Sequence, residues 1–167
     1  YYNPQLANKS ASPIYKRINS MDHLPIFINI RKKPCLVIGG GDIALRKIHL
    51  LLKAQAKVEC LSLLFSRDIK KLSKNGQITL INKSFDQTDI KDYSIIIAAT
   101  DDSSVNSSIS AIAQVKKIPV NVVDSPELSS FIMPSIVDRS PLIIAVSSSG
   151  KAPVLSRMIR AKLETVI

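Results

Sequence analysis

The chain has 167 residues, 46% of them hydrophobic, and carries a net charge of +10 from 23 Lys and Arg against 13 Asp and Glu. That suffices for one domain with a full apolar core, or one domain plus a small appendage. It excludes a transmembrane helix, since no apolar run approaches the roughly 20 residues that a bilayer crossing requires, and the excess of cations suits an anionic partner.

Residues 1–20, YYNPQLANKSASPIYKRINS, are polar and lack the apolar stretch of a signal peptide. They read as a disordered extension, and Met21 opens a chain of different character. From Pro34 the sequence runs PCLVIGGGDIALRKIHLLLK. Cys35-Leu36-Val37-Ile38 is continuously apolar, as in a strand buried on both faces. After Gly39-Gly40-Gly41, Ala44, Ile48, Leu51 and Leu52 recur at helical spacing and leave Arg46, Lys47 and Lys53 to solvent. Strand, glycine turn and helix make the start of a dinucleotide-binding βαβ unit. In Gly39-x-Gly41-x-x-Ala44 the first glycine allows the tight turn and the second lets backbone approach a pyrophosphate. Alanine allows close helix–strand packing, and free N–H groups at the helix N-terminus hold the anion. A glycine turn with no ligand has the same pattern; the flanking strand and helix favour the nucleotide.

Residues 56–64 form a second strand around Val58, Cys60 and Leu61. The acid that binds the ribose is expected about 20 residues past the glycines, but this stretch ends in Leu61-Ser62-Leu63-Leu64, with Glu59 inside the strand. Adenosine should therefore meet apolar side chains and main chain, and no carboxylate distinguishes NAD from NADP. A short basic helix at 66–74 rests on Ile69 and Leu72, Asn75-Gly76 turns, and 78–81 is a strand. Residues 94–99 are the next buried strand, ended by Thr100-Asp101-Asp102, and Val105, Ile109, Ile112 and Ala113 give a second helical face. Thr100 or Asp101 is expected to cap that helix, and both to line the nucleotide crevice at the strands' carboxyl ends. A fifth strand at 118–123, with Pro119 near its start, delivers Asp124 to the same rim. An acid there serves either as a turn cap or as a catalytic group.

Beyond Asp124 the pattern changes. Two strands, 131–137 and 142–146, flank the turn Asp138-Arg139-Ser140-Pro141. A polar loop follows at 147–150, and Pro153 opens a last helix bearing Leu155, Met158, Ile159 and Leu163. The apolar hairpin and a helix that runs uncapped to the chain end suit a homodimer interface, in a chain that stops inside a larger structure. Ser148 is a candidate modification site, because a phosphate in that serine run would add about −1.5 to −2 charge. The expected fold is α/β: a Rossmann-like parallel sheet with helices on both faces over 21–127, then a dimerisation and substrate-binding segment starting over 128–167. Cys35 and Cys60, inside apolar runs, read as reduced core thiols of a cytoplasmic protein, and their spacing is no metal motif. Aromatic content of 5% without Trp leaves little to stack bases on, which argues against a nucleic-acid partner.

Five segments together resemble the N-terminal half of the siroheme synthase family: MDHLPIF at 21–27, GGGDIALRK at 39–47, AATDDSSVN at 98–106, NVVDSPELSSFIMPSIVDRSPLIIAVSS at 121–148 and PVLSRMIRAKLE at 153–164. The resemblance covers nearly all of 21–167. It implies a precorrin-2 dehydrogenase and sirohydrochlorin ferrochelatase module: NAD-dependent oxidation of precorrin-2 to sirohydrochlorin, then insertion of Fe²⁺ as substrate to give siroheme. By position, Asp42, Ile43, Leu63 and Leu64 match the family's NAD contacts, and Asp124 matches the aspartate assigned to both reactions. The implied partner is a polycarboxylate tetrapyrrole, with no nucleic acid and no membrane. Ser149 stands where the family often has a second glycine. In multifunctional relatives a uroporphyrinogen-III methyltransferase domain follows, which these residues do not include. Asp124 guiding iron transiently would make a dedicated metal site unnecessary.

Two other functions compete. A non-catalytic NAD-sensing module would need the glycine loop but not Asp124. A nucleic-acid-binding domain would rest on charge alone and would show steep salt dependence. Neither accounts for the 121–148 segment.

Overall fold

The computed structural model describes residues 22–149 and 151–166, so the extension expected over 1–20 lies outside the described residues. Five strands form a parallel sheet: β1 (Pro34–Ile38), β2 (Lys57–Leu61), β3 (Ile78–Ile81), β4 (Ile95–Ala98) and β5 (Val120–Val122). Their spatial order is β3-β2-β1-β4-β5. The direction of winding reverses at β1, so the crevice between the carboxyl ends of β1 and β4 is the topological switch point.

Helices cover both faces, which is why the central strands read as unbroken apolar runs. Cys35 and Val37 of β1 face a core shared with α1 (Asp42–Lys53) and α2 (Arg67–Lys74), through Ala44, Ile48, Leu51 and Ile69. Leu36 and Ile38 face the opposite core, packed by Ile109 and Ala113 of α3 (Ser103–Val115). Each side chain removed from water on these faces contributes about 1.5–3 kcal/mol. Tyr93, buried beside β4, donates its hydroxyl to Glu59 Oε2 across 2.6 Å. This bond satisfies an acid in the middle of β2.

The second unit is an antiparallel hairpin of β6 (Ser135–Arg139) and β7 (Leu142–Val146), followed by α4 (Pro153–Glu164). Arg139 pairs directly with Leu142, so the connection is two residues, Ser140 and Pro141. β6 starts at Ser135, four residues later than the apolar run suggests. The preceding stretch instead lies along β5, the exposed edge of the sheet. There Ser130 Oγ accepts from Val120 N–H at 2.9 Å, Ser129 Oγ accepts from Val122 N–H at 2.9 Å, and Asn121 Nδ2 donates to the Phe131 carbonyl at 3.1 Å. Serine side chains thus occupy the edge that another strand would otherwise take, while Phe131 and Met133 pack against the first core. β2 ends at Leu61 rather than at Leu64, because Ser62, Leu63 and Leu64 turn out of the sheet.

Candidate active site

The glycine loop connects β1 to α1 at the switch point, and its three glycines do different work. Gly39 has φ +125°, and a Cβ there would lie 2.2 Å from the Ala99 carbonyl oxygen. It is the turn that side chains cannot make. A Cβ on Gly40 would lie 1.8 Å from the Leu64 carbonyl oxygen, and the Gly40 carbonyl accepts from Ser66 N–H at 2.8 Å. Gly40 therefore locks the loop against the segment after β2. A Cβ on Gly41 would meet nothing within 4 Å. Gly41 adopts ordinary extended backbone at φ −92°, and no side chain caps the helix it precedes. The first N–H groups of α1, at Asp42 and Ile43, are thus left without a side-chain cap, at the positive end of the helix dipole.

That opening distinguishes α1 from the other helices of the sheet, which cap themselves. Ser66 Oγ accepts from Ile69 N–H at the start of α2. On α3 the cap is Asp102, which accepts from the N–H groups of Ser104 and Val105 at 2.8 and 3.1 Å; these bonds and that from the Ser104 hydroxyl hold its carboxyl below the usual range. The cap expected at Thr100 or Asp101 thus falls instead on Asp102. Thr100 Oγ1 bonds to the Asn106 side-chain oxygen at 2.8 Å, and Asn106 Nδ2 returns a bond to the Thr100 carbonyl at 2.9 Å. This closed pair buries Asn106 and holds the β4–α3 turn in shape, leaving Asp101 exposed on the rim. Leu63 and Leu64 are 64% and 83% exposed, with their loop held by Asn82, whose side-chain amide donates to the carbonyls of Ser62 and Leu63. Two exposed leucines thus stand beside the glycine loop as an apolar wall.

Asp124 lies two residues past the end of β5 and has φ +58°, a left-handed conformation that Asp and Asn tolerate better than other side-chain-bearing residues. It opens on a cavity of about 720 Å³ bounded by the sheet rim, the 129–135 stretch, β7 and the start of α4. Ser148 also lines this cavity, and its Oγ accepts from Ala152 N–H at 3.0 Å. Ser149 has φ +53°, the left-handed conformation for which the family's glycine is suited.

Arg46 and Lys47 also line the cavity, contrary to the solvent-facing position that the helical period suggests. Lys47 lies three residues after buried Ala44, at the border of the apolar stripe, and is half-buried. That i+3 relation is the sequence signal for it. Burial, and then the neighbouring Arg46, push the Lys47 ammonium below its ordinary value, opposed by the field of Asp124. Lys53, the third cation, instead pairs with Asp138 of β6 at 2.8 Å. Cys35 and Cys60 are buried free thiols, pushed up to about 11 and about 12 chiefly by burial. Among the described residues no group of three or more His, Cys, Asp or Glu side chains could hold a metal ion, and no helix is long and apolar enough to cross a membrane.

The strand order, the glycine loop and the open N-terminus of α1 define a Rossmann-type dinucleotide-binding domain. The family described as "Putative NAD(P)-binding" matches residues 26–135, and that described as "Sirohaem biosynthesis protein central" matches 139–165. The chain belongs to this NAD(P)-binding family, in the form found as the N-terminal module of siroheme synthases. It is 55% identical over 147 residues to the siroheme synthase of Ruthia magnifica, covering 88% of this chain and 31% of that protein. With the siroheme synthase of Nitrosomonas europaea it shares 49% identity over 148 residues, again 88% of this chain and 31% of the relative. The chain therefore spans about a third of the length of these relatives. Among solved structures, the precorrin-2 dehydrogenase SirC superposes with a TM-score of 0.70 at 25% identity, covering 87% of this chain and 71% of that one.

Proposed function

We propose that the chain oxidises precorrin-2 to sirohydrochlorin with NAD⁺ and inserts Fe²⁺ into the product, both in the cavity below Asp124. The observation that carries the reading is the placing of Asp124: on the rim beside the nucleotide crevice, yet opening on a cavity large enough for a sizeable ligand. The relatives and SirC are named for this pathway.

The residues present fit a dinucleotide. Gly41 leaves the space its pyrophosphate would fill, the Asp42 and Ile43 N–H groups would hold it, Leu63 and Leu64 would cover the adenosine, and Thr100 and Asp101 would border the nicotinamide side. When bound, NAD⁺ supplies a hydride acceptor. The chain's own contribution is to hold the macrocycle against the rim and to take the accompanying proton on Asp124. In chelation two pyrrole N–H protons leave as Fe²⁺ enters; the same carboxylate accepts them in turn, releasing the first to solvent before the second, and guides the ion without retaining it. No step needs a tight metal site, which would compete with the product for iron.

Residues 21–127 form the nucleotide-binding part in this reading, and 128–167 begin the part that encloses substrate and pairs two copies. Leu142, Ile143, Leu155 and Met158 are exposed on the hairpin and α4, an apolar face suited to a homodimer. Buried, unpaired cysteines suit the reducing cytoplasm. The test is to incubate the purified chain with precorrin-2 and NAD⁺ and follow sirohydrochlorin by its absorbance. Product forms if the reading is right. NAD⁺ binding without turnover would favour the sensing module instead.

A further inference from the structure

The cavity carries a feature that the proton chemistry of Asp124 leaves unexplained. Arg46 and Lys47 reach it from the second turn of α1, and Arg157 from the second turn of α4. None of the three has an ion-pair or hydrogen-bond partner among the described residues. The neighbouring cations do: Lys53 pairs with Asp138, Lys151 with Asp22, and Arg160 with Glu164. Lys47 is half-buried, and burial outweighs the opposing field of Asp124, so a further anion in the cavity would stabilise its charged form. Asp124 bears the one carboxylate that lines the same cavity. Three cations converging from two elements around one acid leave an excess of positive charge on the wall, in a concave space where fields are focused.

We infer that Arg46, Lys47 and Arg157 form a carboxylate clamp that selects and orients a polycarboxylate macrocycle in the Asp124 cavity. The clamp deepens the proposed function and rests on it only for the identity of the substrate. Lys47 and Arg157 reach the cavity from different elements, one from α1 and the other from the C-terminal helix α4. A rigid planar ligand with acidic side chains around its rim could engage both at once, with its centre presented to Asp124. Arg157 is suited to bidentate contact with a carboxylate, and Lys47 acts as a point charge. Selectivity then depends on the number of carboxylates around the ring, since each additional engaged arm gains a charge-assisted hydrogen bond.

The test uses the full chain and two porphyrin probes, uroporphyrin with eight carboxylates and coproporphyrin with four, titrated by fluorescence. The variants are Lys47→Gln, Arg157→Gln and their combination, each checked for folding by NAD⁺ binding and thermal melting. The clamp predicts tighter binding of uroporphyrin than of coproporphyrin by wild type. Each single variant should weaken uroporphyrin by about 10-fold, the double variant should erase most of the preference, and the salt dependence of binding should become shallower. For precorrin-2 turnover the loss should appear mainly in KM. Folded variants that keep the uroporphyrin preference and salt dependence overturn the clamp, as does a wild type that binds the two probes alike. Failure of the functional reading looks different: wild type would bind uroporphyrin through these residues yet leave precorrin-2 unchanged.

Discussion

Lys53, in the last turn of α1, forms a 2.8 Å ion pair with Asp138 Oδ2 on β6. The other oxygen of Asp138 accepts from the N–H and hydroxyl of Ser140, at 3.0 and 2.8 Å. One carboxylate thus closes the hairpin turn and ties the hairpin to the helix that starts at the glycine loop. The pair joins β6 to α1, and the neighbouring β7 and α4 border the cavity that Asp124 lines.

Asp138 gives a pH-dependent prediction. Its carboxyl is lowered from 3.8 to about 2, first by Lys53 and then by Ser140. A group depressed on folding adds stability that is fully present above the unfolded value and lost as pH falls through the folded one. The tether should therefore be intact above about pH 4 and lost as the pH falls toward 2. Asp138→Asn should raise hydrogen exchange in 135–146 at neutral pH while β1 and β4 stay protected. The difference from wild type should shrink as the pH falls toward 2; a difference undiminished there would count against the ion pair.

The glycine loop makes a paired prediction. Gly40→Ala drives a methyl group onto the Leu64 carbonyl and should lower stability by about 1–3 kcal/mol or more, as overpacking does. Gly41→Val meets open space, so its melting temperature should change little while NAD⁺ affinity falls at least 10-fold, because the side chain occupies the pyrophosphate position. Melting curves and calorimetry separate the two effects. Unchanged NAD⁺ affinity in Gly41→Val would refute the nucleotide assignment.

Much of this was readable before any coordinates, for a physical reason. β1, α1, β4 and α3 declare themselves because both faces of the sheet are covered, so apolar runs and helical periods mark them, with Lys47 on α1 and the buried Asn106 and Ser110 on α3 as exceptions. What escaped the sequence depends on contacts distant along the chain. Residues 131–134 look like a strand, but the edge of β5 is already satisfied by Ser129 and Ser130, which delays the pairing to Ser135. The cap on α3 falls on Asp102 because Thr100 is engaged with Asn106. Lys47 reads as a solvent-facing lysine until the hairpin and α4 fold over it.

Homodimerisation is predicted from the exposed apolar side chains on β7 and α4. Light scattering should give about twice the 18.3 kDa chain mass. Met158→Glu, which places a charge in that face, should shift the population toward monomer. A wild-type monomer at high concentration would exclude this interface.

Ser148 is predicted to be a point of control. Its hydroxyl lines the cavity and accepts the Ala152 N–H ahead of α4. Ser148→Asp adds a negative charge where a polycarboxylate must enter, so KM for the tetrapyrrole should rise while NAD⁺ affinity is kept. Ser148→Ala removes the bond without the charge and provides the control. Equal effects from both substitutions would assign Ser148 to the turn alone.

Asp124 is predicted to serve both reactions, whereas NAD⁺ serves only one. Its φ of +58° makes Asn the informative replacement, because Asn tolerates that backbone, whereas Ala there adds a strain of about 1–2 kcal/mol. Asp124→Asn should retain NAD⁺ affinity and lose about 10²–10⁴-fold in both dehydrogenation and chelation if proton transfer is its role. Retention of most activity by Asn would instead assign Asp124 to holding substrate through hydrogen bonds. Gly41→Val supplies the complement: it should stop dehydrogenation yet leave insertion of Fe²⁺ into supplied sirohydrochlorin largely intact, since chelation has no use for the nucleotide. If Asp124→Asn also lost only the dehydrogenase step, one carboxylate could not be serving two reactions, and the proton acceptor for chelation would have to be sought elsewhere on the cavity wall.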